Sequence, residues 1–313
     1  MDTAENRTLD FKIADATSYD AHVGDFERFT RVLTAPLAAR MIAMSGITAG
    51  QRVLDIGTGT GVVALEAARA AGVGGSCVGI DLSEKMLASA GVNARLAGLA
   101  ERIEFKAMDA ESLQFEAASF DVVVSLFALL HFPDPAIALR EMFRVLKPGG
   151  VLVVAVGSAP PWLSFQGVAH VLSLVPDMIA RLLGRQLVAP QFLNRLVEDS
   201  IPAHDEPEES SLAQAGRNRT RNVPQLIRDA GFENLRRHWE GHQAALETPA
   251  DFWDIQRTFS SLARKRLNSA MPDQVAKVRA KFEAVCHQVL SRGGRLTYPF
   301  AAFFVAARRP LPS

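Results

Sequence analysis

Between Gln51 and Val156 short unbroken apolar runs alternate with segments whose apolar residues recur every three or four positions. Runs that are apolar on consecutive positions predict strands covered on both faces, and strands separated by helices predict βαβ units of a parallel sheet. The runs are Arg52 to Ile56, Ser76 to Ile80, Ile103 to Ala107, Phe120 to Ser125 and Val151 to Val156. Helices are predicted at Val62 to Ala71, at Glu84 to Ala97 with Met86, Leu87 and Ala90 at helical spacing, and at Ala136 to Leu146. The last of these stops at Lys147-Pro148-Gly149-Gly150.

The flanks break this rhythm. From Asp20 to Ser45 the apolar positions Phe26, Phe29, Val32, Leu33, Leu37, Met41 and Met44 cluster on one helical side, which predicts a segment packed over the core. After Val156, Pro160 to Asn222 reads as two or three helices and a Pro- and acid-rich loop, Ile201 to Ser211. Alternation resumes with a helix at Val223 to Ala230 and a strand near Asn234 to Leu246. Two more helices, about Pro249 to Leu267 and Pro272 to Arg292, precede a terminal strand, Tyr298 to Arg308. The expected organisation is an N-terminal helical lid (1–45), an α/β core (46–157), a helical cap inserted after the fifth strand (158–222) and a segment completing the core (223–313). Trp162, Phe165, Leu172 and Met178 give the insertion more apolar surface than a solvated helix pair exposes, so it reads as a cap over an acceptor pocket. Ordinary helix-on-helix packing is the competing account.

Composition narrows the class. With 313 residues, 48% hydrophobic and 22% charged, the chain has the make-up of a globular protein and not of a fibrous or disordered one. Lys+Arg 34 balances Asp+Glu 34, so no field draws it to nucleic acid or an anionic membrane. Cys77 and Cys286, far apart and without ligand spacing, predict neither a disulfide framework nor a metal site. The first residues lack the basic and apolar regions of a signal peptide, and charges interrupt the apolar stretch Trp162 to Val188, so no membrane span and a cytoplasmic location are expected.

The chemistry concentrates in Val53-Leu54-Asp55-Ile56-Gly57-Thr58-Gly59-Thr60-Gly61, a strand running through a Gly-rich turn into a helix. Glycines accept positive φ and let a ligand approach the backbone. Asp81 closes the next strand, where a carboxylate can accept hydrogen bonds from ribose hydroxyls; Ser83 is better placed than Asp81 to cap the helix that follows. Dinucleotide folds favour G-x-G-x-x-G with a pyrophosphate at the helix start, whereas this loop reads D-x-G-x-G-x-G. Asp55 would repel a pyrophosphate and favour an ammonium group. S-adenosylmethionine carries an ammonium and a sulfonium and no phosphate.

On these residues the chain resembles the class I S-adenosylmethionine-dependent methyltransferases, in particular the small-molecule branch of ubiquinone/menaquinone-biosynthesis and natural-product enzymes. The likeness spans about Tyr19 to Val156 and resumes at Val223. It also rests on Val78-Gly79-Ile80-Asp81-Leu82-Ser83-Glu84-Lys85-Met86-Leu87, on Met108-Asp109-Ala110-Glu111, on Phe120-Asp121-Val122-Val123-Val124-Ser125 and on Glu141-Met142-Phe143-Arg144-Val145-Leu146-Lys147-Pro148-Gly149-Gly150. It implies an α/β, Rossmann-like, seven-stranded and mostly parallel sheet with helices on both faces, the strand from Tyr298 antiparallel between two parallel neighbours. It further implies that Asp55 and the backbone of Gly57, Thr58 and Gly59 hold the methionine part and Asp81 the ribose. Leu82 and Met86 would contact the adenine, Asp109 would accept from its amino group and the Ala110 N–H would donate to its ring. The Ser125 carbonyl would face the ammonium, and Tyr19 would close over the carboxylate.

Methyl transfer needs a positioned nucleophile and exclusion of water, with a base where the acceptor must lose a proton. His131, beyond the carboxyl end of the fourth strand, is the candidate base; alternatively it only shapes its loop. The leading expectation is an enzyme, methylating an oxygen or carbon, less readily a nitrogen, of a small and fairly apolar acceptor and releasing S-adenosylhomocysteine. A nicotinamide-dependent oxidoreductase and a non-catalytic S-adenosylmethionine-binding protein remain the alternatives.

Overall fold

Four parallel strands lie where the apolar runs predict them, β1 (Arg52–Ile56), β2 (Ser76–Asp81), β3 (Ile103–Ala107) and β4 (Phe120–Leu126), and a fifth, β5 (Leu146–Gly157), starts five residues before the expected Val151, taking in Lys147 to Gly150 because Leu146 already pairs with Phe120. In this computed structural model the described residues are 4–157, 175–176, 178–180, 182–183, 185–188, 191–202 and 222–312. Three more strands, β6 (Gln186–Val188), β7 (Glu233–Leu246) and β8 (Arg295–Arg308), complete a sheet of order β3-β2-β1-β4-β5-β8-β6, with β7 on the other edge of β8. Because β8 runs antiparallel to both β5 and β7, these two are parallel to each other, as the resemblance implies. From β1 the order runs to β2 on one side and β4 on the other, and that switch point opens a crevice at the carboxyl ends.

The sheet has one strand more than expected. Gln186–Val188, inside the segment read as two or three helices and a loop, pairs parallel with Arg295, Leu296 and Thr297. Strand β8 starts three residues before Tyr298, so its amino end has backbone groups that β5 does not reach; β6 supplies their partners. Hydrophobic pattern carries no trace of such a pairing.

Helices cover both faces. Preceding the sheet are α1 (Ala4–Thr17), α2 (Val23–Phe29) and α3 (Ala35–Ser45). The predicted segment Asp20 to Ser45 is helical throughout, with α2 passing into α3 through a π-turn at Thr30–Thr34 and Pro36 in the first turn of α3, where its missing N–H is tolerated. Within the core lie α4 (Val62–Ala71), α5 (Glu84–Leu96) and α6 (Pro135–Val145). Beyond it come α7 (Gln191–Ser200), α8 (Val223–Asp229), α9 (Pro249–Phe259), α10 (Ser261–Ser269) and α11 (Pro272–Ser291). The expected helix Pro249 to Leu267 is two helices, because Ser260 turns extended and caps α10 through a bond from Ala263 N–H to its Oγ, 3.1 Å.

Burial follows this layering. Leu54, Ile80, Val123 and Leu152 pack toward α6 and α8, while Val53, Val122 and Val153 pack toward α3 and α4. In a third cluster Leu193 and Val197 of α7 meet Phe252, Trp253 and Phe282 of α9 and α11. Trp162, Phe165 and Leu172, the expected cap residues, lie outside the described residues; Met178 is described and exposed. Among the described residues no helix is long and apolar enough to cross a membrane.

Candidate functional site

The Gly-rich turn leaves β1 with Gly57, Gly59 and Gly61 at φ +69°, +53° and +87°, left-handed values that disfavour any residue with a Cβ. Space adds to the requirement at Gly57, where a Cβ would fall 2.2 Å from the Cβ of Ala128. Both residues border a cavity of about 420 Å³ at the carboxyl ends of β1, β2 and β4. Most of the turn's donors are spent internally: the amides of Gly57 and Thr58 both donate to the Ile80 carbonyl at 2.9 Å, and Gly61 N–H donates to Thr58 O. Gly59 N–H donates to Asp81 Oδ2, 2.9 Å.

Carboxylates rather than cations surround that turn. Asp81 lines the cavity and also accepts from Ser83 N–H through Oδ1, 3.0 Å; burial pushes its carboxyl up, and its backbone donors oppose the shift. Ser83 is the N-cap of α5, accepting from Met86 N–H and donating to Asp20. Asp55 and Ser125 do not line the cavity but lie buried behind it. Asp55 Oδ2 accepts from Thr58 Oγ at 2.7 Å, whereas its Oδ1 and the Ser125 Oγ are buried without a partner. Burial, reinforced by the charge of Asp81, pushes the Asp55 carboxyl up to about 7 against the Thr58 and Ala64 bonds.

Beyond Asp81 the cavity wall is apolar, with Leu82, Met86, Met108 and Ala110, and then turns charged at Asp109. Lys12 of α1 reaches this point, its Nζ 2.8 Å from Asp109 Oδ2 and 2.6 Å from Glu111 Oε2. The second Asp109 oxygen accepts from Glu111 N–H, 2.9 Å. Lys12 is 8% exposed, and the ion pairs hold its ammonium above the usual lysine range although burial works against the charge.

At the opposite end the chain leaves β4 through Phe127, a non-glycine residue at φ +66°, into the 3₁₀ turn Ala128–His131. Such a conformation is strained by roughly 1–2 kcal/mol, and here the Phe127 amide is tied to Ala155 O and its ring packs on Phe300. The turn sets His131 on the cavity wall with Nδ1 2.7 Å from Asp15 Oδ2. Tyr19 packs edge-on to His131 and to Phe26, and the guanidinium of buried Arg264 lies 3.5 Å from the Tyr19 ring centre. Aromatic rings of Phe26, Phe127, Phe259, Tyr298 and Phe300 form the remaining wall.

Of the twelve residues expected at the site, ten line this one cavity: Tyr19, Gly57, Thr58, Gly59, Asp81, Leu82, Met86, Asp109, Ala110 and His131. Sequence reasoning missed Lys12, Asp15, Phe259 and Phe300. Lys12 and Asp15 sit three apart on one helix face, but both are polar, so hydrophobic periodicity passes over them. The residues fit S-adenosylmethionine. Asp55 keeps a partnerless buried oxygen behind the turn, the glycine cradle is tight for side chains at Gly57, and no cation of the turn awaits a phosphate. With the N–H groups of Gly57, Thr58, Gly59 and Gly61 engaged, the turn offers a ligand mainly carbonyl oxygen, which suits an ammonium.

A family model described as "Methyltransferase domain" matches residues 54–154. The chain is similar to the ubiquinone/menaquinone biosynthesis C-methyltransferase UbiE of Cronobacter sakazakii, 32% identical over 199 residues that cover 62% of this chain and 71% of the relative. It is likewise similar to UbiE of Pseudomonas putida, 35% identical over 179 residues, covering 56% and 68%. Among solved structures the YcgJ protein of Bacillus subtilis shares the fold, with TM-score 0.50 and 20% identity over 88% of this chain and 98% of that one.

Proposed function

The chain belongs to the class I S-adenosylmethionine-dependent methyltransferases, and from that premise we propose that it methylates a carbon of a small, largely apolar, hydroxylated or enolisable acceptor. The observation that carries this reading is the shape of the cavity: carboxylates and a glycine turn at one end, a wall of aromatic rings at the other, and His131 between them. The named activity of the two UbiE relatives favours carbon over oxygen.

S-adenosylmethionine supplies, when bound, a methyl group already activated by its sulfonium, so the protein's part is placement and water exclusion. The Gly57 to Gly59 backbone holds the methionine ammonium, and the buried Asp55 carboxylate and Ser125 carbonyl behind it supply negative charge. Asp81 accepts from the ribose hydroxyls, Leu82 and Met86 flank the adenine, and Asp109 with the Ala110 N–H reads its edge. Tyr19, stiffened by Arg264, covers the methionine carboxylate. Phe259, Tyr298 and Phe300 seat the acceptor and keep water from the transfer path. A nicotinamide dinucleotide is disfavoured, because the carboxylates of Asp55 and Asp81 at the glycine turn would repel its pyrophosphate.

Calorimetry with S-adenosylhomocysteine and with NAD tests the cofactor. Binding of the sulfur ligand alone is expected, and binding of NAD alone overturns the reading. A screen of phenols, quinols and enolisable ketones for S-adenosylhomocysteine release, followed by mass spectrometry and NMR of the product, decides carbon against oxygen.

A further inference from the structure

We propose that Asp15 is a positioning residue for methyl transfer: its carboxylate, carried by α1, orients His131 so that Nε2 takes a proton from the acceptor. The inference rests on the methyltransferase reading and adds the group that completes its base.

The geometry has three parts. His131 Nδ1 stands 2.7 Å from Asp15 Oδ2, and Asp15 Oδ1 accepts from Lys265 Nζ of α10 at 2.9 Å. The carboxylate side chain is 10% exposed and the imidazole 39%, so the carboxylate is shielded while the ring stays open to the cavity. Burial by itself would raise the Asp15 carboxyl, but its bond with His131 and the charges of His131 and Lys265 outweigh burial and hold it well below the usual range. An ionised Asp15 accepts a hydrogen bond and cannot donate one, so Nδ1 carries the hydrogen. In a neutral ring the lone pair is then on Nε2. Tyr19, edge-on with ring centres 6.0 Å apart, limits rotation of the imidazole.

A simple clamp would not need this arrangement. Lys265 already ties α1 to α10 through Asp15, and Lys12, on the same helix face, ties α1 to Asp109 and Glu111. The second Asp15 oxygen is spent on a residue of the cavity wall, at the one ring nitrogen whose protonation sets the state of the other. The base is complete only with α1 docked, which joins the adenine end of the site to the acceptor end.

In the step itself the acidic proton of the acceptor, on oxygen or on an activated carbon, passes to Nε2. The electron pair it leaves reaches the nucleophilic carbon, that carbon bonds the methyl, and the methyl–sulfur bond breaks with its pair going to sulfur. In a phenol the methylated carbon then loses its hydrogen as a proton and the oxygen regains one. The imidazolium, stabilised by Asp15, returns its proton to water, so one proton is released per methyl moved.

Nitrogen NMR of the full chain with labelled histidine, at about pH 8, reads the dyad without any acceptor; His131 is assigned by its loss in His131→Gln. The expected spectrum has a protonated Nδ1 and a bare Nε2, and Asp15→Leu moves the ring toward the Nε2–H form that free imidazole side chains prefer. An Nε2–H ring in the native protein, or one indifferent to Asp15→Leu, overturns the proposal. Single turnovers with a naphthol, un-ionised at this pH, and a cyclic 1,3-diketone, already an enolate, read its function. Asp15→Asn and His131→Gln should slow the naphthol by about 10²–10⁴-fold. The diketone should lose less than about tenfold, with the S-adenosylhomocysteine Kd within about twofold of native. Equal losses on both acceptors would mean that Asp15 only docks α1, and the role falls. A native enzyme that binds S-adenosylhomocysteine yet turns over neither acceptor also defeats the proposed step, whereas failure to bind it at all defeats the methyltransferase reading.

Discussion

Lys12 Nζ lies between Asp109 and Glu111, 2.8 and 2.6 Å from their carboxylates, and so fastens α1 to the loop that follows β3. Lys12→Met leaves two poorly exposed carboxylates facing each other unpaired, at a cost of about 1–3 kcal/mol. Hydrogen exchange should then speed up across 4–17 while the sheet keeps its protection. Unchanged exchange in α1 would show that Lys265 and Asp15 hold the helix by themselves.

Gly57→Ala introduces both a left-handed alanine, worth roughly 1–2 kcal/mol, and a methyl driven into Ala128. The turn has to shift, and with it the mutual placement of Gly59, Asp81 and the His131 turn. Loss of S-adenosylhomocysteine binding in a protein that still melts cooperatively is the expected calorimetric result; native affinity would mean that the cradle tolerates a side chain.

Asp81 has two duties, since its oxygens restrain Gly59 and Ser83 besides facing the cavity. Asp81→Ala should therefore weaken S-adenosylhomocysteine by about 1.5–3 kcal/mol, roughly ten- to a hundredfold, and also lower Tm. An unchanged dissociation constant in the folded variant would put the ribose elsewhere.

The raised Asp55 carboxyl gives binding a pH dependence with a definite sign. The ligand's ammonium favours the ionised form, so affinity for S-adenosylhomocysteine should rise as pH climbs toward about 7 and level off above it, with proton release at the acid end. Stability of the free protein should run the other way. The folded state holds this proton more tightly than the unfolded chain, so the contribution of Asp55 is greatest below 3.8 and is lost as pH rises to about 7. Calorimetry in buffers of different ionisation enthalpy measures the proton; Asp55→Asn should abolish its release in this window.

Phe300 touches Phe127, Phe259 and Tyr298 at ring-centre distances of 5.1, 5.3 and 6.3 Å. Phe300→Leu keeps an apolar side chain and removes the flat surface. Acceptor KM should rise several-fold while the cofactor constant stays put. If instead the cofactor constant moves and the acceptor KM does not, the aromatic wall belongs to the cofactor.

Much of the core was legible because its signals are local. Val62 to Ala71 matches α4 to the residue, and the helix end expected at Leu146 falls one residue past the end of α6. Where the reading slipped, the deciding partner lay far along the chain. No pattern in Gln186 to Val188 announces a strand, because its reason for existing is the bare edge of Arg295 to Thr297. The break at Ser260 depends on a single cap that a continuous apolar stripe conceals.

The amino-acid order alone determined the parallel core, the glycine turn that must bend left-handed, and the cofactor class, since these follow from backbone sterics, hydrophobic period and the charge of neighbouring residues. Only the tertiary structure decided which polar residues meet. Asp15 and His131 are 116 positions apart, Lys12 and Asp109 are 97 apart, and Phe26 and Phe259 arrive from opposite ends of the chain. Ion pairs and ring contacts leave no periodic mark, because each needs one side chain at one point in space and nothing of its neighbours in sequence. The aromatic end of the cavity, built from such contacts, is readable only once the helices are packed against the sheet.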